Sequence, residues 1–354
     1  MAPYFLIPII ILLTNLFRVS EKSSFQLCFF LLLAFFAGAR GAGVDLDFAN
    51  YYNLWYRTYS FYELLVEPIP KLIFQLSYIL GLSFNFALLV FSTVTMLLLY
   101  KACALLNANR WVFLFLYTGY FFYIQTMMQI RFSLALAFFV YGNLLLDRNK
   151  LLGCIWLFCS VLSHQSMFLL LIMMPIIRIN NLNFTLYLSA IAFLMQFLSI
   201  FQYSFVNTFF QVILMFVESE KVLRYYNDFN AYVTTPINVF NSINFLNITL
   251  LTWCAWNIKV VPSELRKYGY FFINSMLLGL IFLNLLRELS SFSFRFYEMM
   301  FFFLPLLVAL VYKYSNFSYK TITVFFSTLY VYVSLYQITY GTSVIAEYKT
   351  ALFS

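Results

Sequence analysis

Four polar groups sit where an apolar chain has little reason to keep them. The first is the stretch GVDLDFANYYNLWYRTYSFY, Gly43 to Tyr62, in which Asp45 and Asp47 precede Tyr51, Tyr52, Trp55, Tyr56 and Tyr59. Aromatic faces stack on the C–H faces of sugars, and carboxylates and phenols bond sugar hydroxyls. An interfacial aromatic belt accounts for the tyrosines equally well, but it does not require the aspartates. The second is Arg131, within Met127-Met128-Gln129-Ile130-Arg131-Phe132-Ser133. A guanidinium there either snorkels to lipid headgroups or clamps a phosphate through paired N–H bonds. The third is Ser163-His164-Gln165-Ser166. An imidazole near neutral pH moves protons, and in lipid it also serves as a hydrogen-bonded contact between helices. The fourth is Arg287-Glu288 followed by Ser290 to Glu298, which includes Arg295 and Tyr297. Its arginines either bind an anion or pair with Glu288 and Glu298.

The elements that carry these groups belong in lipid. Of 354 residues, 64% are hydrophobic and 10% charged, and the mean hydropathy is +0.86. Soluble domains carry about 25% charged residues, so a cytosolic enzyme, a disordered chain and a nucleic-acid binder are excluded. The basic residues are scattered singly rather than gathered into a patch. Cys28, Cys103, Cys154, Cys159 and Cys254 lie in apolar segments without metal spacing, and the lone His164 has no clustered partner. Neither a metal nor a cofactor is expected. Ala37-Gly38-Ala39 resembles a signal-peptide cleavage site, but an apolar run precedes it and many follow, so an uncleaved anchor is expected.

Apolar runs fall at 4–17, 25–39, 84–106, 111–128, 130–146, 151–177, 184–200, 204–217, 242–261, 268–286, 294–312 and 320–339. The expected fold is all-α: one integral-membrane domain over 1–354, a bundle of about twelve spans. Residues 67–82 start at Glu67-Pro68-Ile69-Pro70 and are amphipathic, which predicts an interfacial or re-entrant helix. Longer external loops are expected at 40–66 and 218–241. Short connectors carry Arg18, Lys22, Arg110, Arg148, Lys150, Lys259, Arg266, Lys267, Lys313 and Lys320, which makes their face cytoplasmic. Ten of the 13 acids fall on the other face. Recognition and chemistry are therefore expected outside, where the long loops are.

At these residues the chain resembles the Wzy-type polysaccharide polymerases of the EpsG branch. The resemblance is carried by Gly43-Val44-Asp45 with its tyrosines, Glu67-Pro68 before an amphipathic helix, Ile130-Arg131 with a small-residue helix, Ser163-His164 inside an apolar run, and Arg295-Phe296-Tyr297. Where such proteins often have glutamine and alanine after the arginine, this chain has Phe132 and Ser133.

The resemblance implies a membrane glycosyltransferase of the bacterial inner membrane with its site facing the periplasm. A growing glycan on undecaprenyl diphosphate passes to a new lipid-linked repeat unit. Membrane lipid and a chain-length regulator protein are the implied partners, as in O-antigen and lipopolysaccharide assembly. Arg131, Arg287 and Arg295 are candidates to clamp the diphosphate, because preorganised charge in a dry site is a large catalytic term. Asp45 and His164 compete as base, with Asp47 or Glu67 in reserve. Tyr51, Tyr52, Trp55, Gln165 and Tyr297 complete the expected substrate contacts. A lipid-linked oligosaccharide flippase or transporter and an O-antigen ligase or membrane acyltransferase are the rival readings. No internal repeat of the kind many transporters show is present.

Overall fold

Helix starts fall where the sequence supplies asparagine. Asn109, Asn149, Asn181, Asn241 and Asn316 each accept a backbone N–H through the side-chain carbonyl at the first turn of the helix that follows. The computed structural model describes residues 1–16, 22–57, 67–201, 205–206, 208, 238–342 and 344–351, with only the backbone of 290–291. Most of the run 204–217 and of the loop 218–241 thus lies outside the described residues, as does the end of the aromatic loop with Tyr59.

Among the described residues all the regular structure is helical. The chain runs through α1 (Ala2–Leu16), α2 (Ser23–Gly38), α3 (Phe48–Arg57), α4 (Pro68–Ile79), α5 (Phe84–Leu105), α6 (Arg110–Tyr117) and a π-helical turn, Phe122–Met128. It continues with α7 (Ile130–Leu145), α8 (Lys150–Ser163), α9 (Met167–Ile177), α10 (Leu182–Ile200), α11 (Ser242–Asn257) and α12 (Ser263–Leu285). The last helices are α13 (Ser290–Phe301), α14 (Leu304–Tyr314) and α15 (Phe317–Tyr336). The chain divides into two compact units, Met1–Pro175 with Val260–Pro262 and Val308–Ser354, and Ile176–Lys259 with Ser263–Leu307.

Five helical stretches among the described residues are long and apolar enough to cross a membrane (α5, α10, α12, α15, and Phe292–Tyr314 across α13 and α14), or six if the π turn and α7 form one broken span. This is fewer than the roughly twelve spans that the apolar runs suggest. The difference has visible causes. The helices α1, α2, α8 and α9 are apolar but only 10–17 residues long. The run 151–177 is interrupted at His164, whose extended backbone (φ −160°, ψ 126°) ends α8. The runs 111–128 and 130–146 meet at a bend of 109°. The amphipathic helix expected at 67–82 is α4, with Pro68 in its first turn, Pro70, Phe74 and Ser77 buried, and Leu72, Leu76 and Ile79 exposed. The segment 40–66 is not simply a loop, because α3 occupies its middle.

In the first unit, α2 lies against α5 so closely that Gly38 has no room for a side chain. A Cβ there would sit 2.6 Å from Leu89 Cα. Ser92 Oγ donates to Ala34 O at 2.8 Å in the same contact. Gly142 plays the same part between α7 and α8, where a Cβ would lie 2.9 Å from Leu157 N. Small residues that admit close backbone approach are the usual basis of helix packing in lipid. The basic connectors gather at one end of this unit. Arg148 donates to Leu105 O at 3.0 Å, Asn107 Nδ2 donates to the Tyr314 hydroxyl at 3.0 Å, and Asn109 N donates to Ala309 O at 3.1 Å.

The second unit is held by polar rungs. Thr185 donates to Asn274 Oδ1 at 2.8 Å and Ser199 to Asn284 Oδ1 at 2.6 Å, both joining α10 to α12. Such bonds contribute about 0.6–2 kcal/mol each between membrane helices. Gly38→Ala is expected to lower the stability of the purified protein by about 1–3 kcal/mol through forced separation of α2 and α5. Thermal unfolding in detergent checks this, and an unchanged midpoint would refute the tight contact.

Candidate functional site

The C-terminus of α2 ends in a buried arginine that the reading of the sequence passed over. Arg40 is fully buried. Its Nε donates to Asp45 Oδ2 at 2.6 Å and its Nη1 to Ala37 O at 2.7 Å. Its Nη2 donates to Met127 O, in the last turn of the π helix. A buried guanidinium needs this degree of satisfaction, because an unpaired charge in a low dielectric is costly. Its signal in the sequence is position: a lone cation directly after an apolar run and five residues before Asp45.

Asp45 is therefore a closed residue. Its side chain is 0% exposed, one oxygen faces Arg40, and the other accepts from Asp47 N at 3.0 Å. A tail from the C-terminus also straps this loop. Ala346 N donates to Val44 O at 2.9 Å, Gly41 N to Lys349 O at 2.7 Å, and Ala351 N to Ala39 O at 2.9 Å. The Tyr4 hydroxyl adds a bond to Ala346 O at 2.9 Å.

Beside this core lies a second charged group. Arg131, at the start of α7 just past the bend, bonds Glu67 Oε2 at 2.5 Å through Nη1. Its guanidinium lies 5.6 Å from the centre of the Tyr51 ring. Its Nε is buried with no hydrogen-bond partner. Glu67 is buried as well, so α4 delivers a carboxylate to the arginine through the very residue that precedes its first proline. Burial pushes the Tyr51 phenol up to about 12, against the pull of Arg131. Tyr51 thus stays a neutral hydroxyl, able to donate, at any physiological pH. Asp47 is half-buried and lies near enough to act on Tyr51 electrostatically.

The remaining expected residues fall in different places. Trp55 Nε1 donates to Ser77 Oγ at 2.9 Å, tying α3 to α4. The exposed Tyr52 packs on Trp55 and Phe84, with ring centres 5.8 and 5.5 Å away. His164 stands edge-on to Phe132, 5.2 Å between centres, and Phe132 directly follows Arg131. Ser166 N donates to His164 Nδ1 at 3.3 Å, and the Ser166 hydroxyl lies 2.6 Å from the same atom. Acceptance of the backbone N–H puts the proton of the neutral ring on Nε2. Gln165 is exposed.

In the second unit Arg287 is buried, with Nη1 donating to Ser199 O at 3.0 Å and Nε unpartnered. Arg295 is exposed. The Tyr297 hydroxyl donates to Asn244 Oδ1 and accepts from Asn247 Nδ2, both at 2.7 Å, so it joins α11 to α13. The structure thus brings Asp45, Asp47, Tyr51, Glu67 and Arg131 together in the first unit, and His164 packs on Phe132, the residue after Arg131.

A second residue outside the sequence reading is Gln125. It is fully buried within the π turn, and neither atom of its amide has a hydrogen-bond partner. Leaving such a group unmet costs about 1–3 kcal/mol. Its only signal was to be the one amide side chain in the run 111–128. π-Helical turns inside helices frequently mark functional sites.

Apolar helices, two of them interrupted where charge and imidazole are placed, define a membrane protein that keeps buried ionisable groups at its helix breaks. The chain belongs to the EpsG family, whose profile matches residues 23–350. No curated protein and no solved structure matches it. The family suggests a polysaccharide polymerase role, a glycosyltransferase-type activity on lipid-linked sugar in a membrane.

Removing one partner of the Arg40–Asp45 pair is expected to destabilise the protein by about 3–5 kcal/mol, as for other buried pairs. Arg40→Met and Asp45→Asn should each lower the unfolding midpoint, and the double variant should lose less than the sum. Additive losses in a thermal double-mutant cycle would show that the two do not interact.

Proposed function

We propose that the cluster of the first unit is the site of a polysaccharide polymerase that extends a glycan carried on undecaprenyl diphosphate. The observation that carries this reading is Arg131. It is a cation held by Glu67 and Tyr51 at a bent helix, with an N–H still unpartnered. Irregular backbone at membrane depth is tolerated where it is buried or lines a water-filled cavity. Ionisable groups there are by default functional.

The reaction is displacement at the anomeric carbon of the donor glycan. The acceptor sugar's hydroxyl oxygen forms the new C–O bond as the bond to the diphosphate breaks. Undecaprenyl diphosphate leaves as a stabilised anion, so it needs cationic clamping more than a proton. Arg131 supplies that clamp through its remaining N–H groups. The hydroxyl proton passes to a carboxylate. Asp47 suits that role better than Asp45, whose two oxygens are both engaged and sealed from any substrate. Asp45 acts instead by holding Arg40, and so the position of the loop and of the π turn. His164, with its proton on Nε2, donates to a phosphate or sugar oxygen. Tyr52 and Trp55 offer aromatic faces to the glycan. Glu67 fixes Arg131, and Gln165 stays an outer contact. This site is drawn from the first unit alone, so Arg287, Arg295 and Tyr297 have no step in it.

The cluster end faces the exterior of a bacterial inner membrane in this reading, because the basic connectors collect at the opposite end. Helix α5 carries both: Phe84 packs near the cluster and Cys103 lies about 28 Å further along the axis.

Purified protein supplied with a lipid-linked repeat unit should yield a polymer ladder. Arg131→Ala should abolish it, a loss of at least about 100-fold for a removed anion-stabilising donor, while the protein still inserts and unfolds cooperatively. Full-length polymer from that variant would end the proposal. Among the base candidates, Asp47→Asn should cost more turnover than His164→Ala, whereas Asp45→Asn should show first as lost stability. Normal turnover in Asp47→Asn would remove it as the base.

A further inference from the structure

The end of the first unit opposite the charged cluster contains a cavity of about 670 Å³. Arg110, Lys313 and Lys320 line it, together with Asn107, Asn109 and Tyr312, and among the described residues its lining holds no acid. The polymerase reading uses none of these residues. A volume of this order is that of a small-molecule site, typically about 300–1,000 Å³.

The cations are arranged rather than merely present. Arg110 is braced by Gln26 Oε1, 2.7 Å from its Nη1, and by the Tyr100 ring, 4.6 Å below its guanidinium. Its Nε is buried and has no hydrogen-bond partner. Lys320 Nζ lies 5.5 Å over the Tyr312 ring. Cations gathered around one cavity repel one another, so the cavity favours an anion. Three helix starts and three helix ends border it (α2, α6 and α15; α1, α5 and α14), so their dipoles largely offset and the field comes from the side chains.

The surroundings identify the kind of anion. Phe317 lines the cavity and is 84% exposed. From there the outer wall of α15 continues with exposed Ile322, Phe325 and Leu329. On α1 the exposed residues Leu6, Ile9, Ile10 and Leu13 lead up to Asn15, which also lines the cavity. A smaller apolar crevice lined by Leu12, Val112, Phe115 and Val324 adjoins it, sharing Asn15, Tyr312 and Val324. A charged chamber continuous with greasy walls fits an amphiphile: head in the chamber, chains along α1 and α15.

We propose that this cavity binds the headgroup of an anionic phospholipid, with Arg110, Lys313 and Lys320 on the phosphate and the acyl chains against α1 and α15. Basic pockets between membrane helices are suited to such headgroups. The proposal is independent of the polymerase reading, because it concerns the other end of the bundle and is read by binding rather than turnover.

The test is retention of lipid by the full-length protein purified in neutral detergent. Phosphatidylglycerol or cardiolipin, with phosphatidylcholine as the neutral control, is titrated and counted by native mass spectrometry and by shift of the unfolding midpoint. One anionic lipid should be retained at least tenfold more tightly than phosphatidylcholine. Lys313→Glu/Lys320→Glu, which reverses two charges at the rim without touching the braced Arg110, should lose that preference while unfolding normally in the neutral lipid. Arg110→Gln should lose it as well. Equal retention of charged and neutral lipid, or full retention by the charge-reversed variant, would overturn the proposal. Inorganic phosphate or a nucleotide displacing the lipid and giving the same thermal shift would also overturn it, by assigning the cavity to a soluble phosphate compound.

Discussion

The buried guanidinium of Arg40 holds the candidate site together. It binds three separate pieces of chain: the end of its own helix at Ala37, the loop carboxylate of Asp45, and the carbonyl of Met127 in the π turn. None of these bonds has water as a substitute, since the side chain is fully enclosed. In a low dielectric the pair is a constraint before it is a source of stability, because breaking it strands a charge. The loop with Asp47 and α3 leaves from Asp45, and α7 with Arg131 begins three residues after Met127. The geometry of one arginine thus positions both the carboxylates and the second arginine.

Interrupted helices do the rest. A continuous helix satisfies its backbone but presents only side chains. The bend of 109° before α7 and the extended backbone at His164 free local N–H and C=O groups, and they re-aim the neighbouring side chains. The free groups are met locally: Ser166 N turns to the imidazole and Gln129 N donates to Ile124 O at 2.9 Å. The residues that depart from the family pattern take part. Phe132 packs on His164, and Ser133 shares a hydrogen bond of 3.1 Å with Thr126. The second unit relies on rungs such as Thr185–Asn274 and Ser199–Asn284, which set helix register.

Much of this was legible in the residues. The amphipathic helix after Glu67-Pro68 follows from its pattern, and Arg131 stands out because lipid does not tolerate an idle cation. Pairing across the chain was not legible. Asp45 reads as a catalytic carboxylate until Arg40 is seen against it. Tyr297 reads as a ligand contact until its hydroxyl is found between Asn244 and Asn247. The C-terminal strap over residues 39–45 had no local signal, since backbone bridges between segments some 300 residues apart leave no periodicity.

The amino-acid order alone determined that the chain is helical and apolar, that its charges are few, and which end of the bundle is basic. These are additive properties: hydropathy sums over a window, and helix caps act within one turn. Tertiary structure decided that the Asp45 carboxylate is sealed against Arg40, where two apolar runs break, and that Arg110, Lys313 and Lys320 line one cavity. Those outcomes depend on contacts between distant segments. Such contacts are chosen by the cost of leaving charge unpaired in lipid, a property of the whole packing rather than of any stretch of sequence.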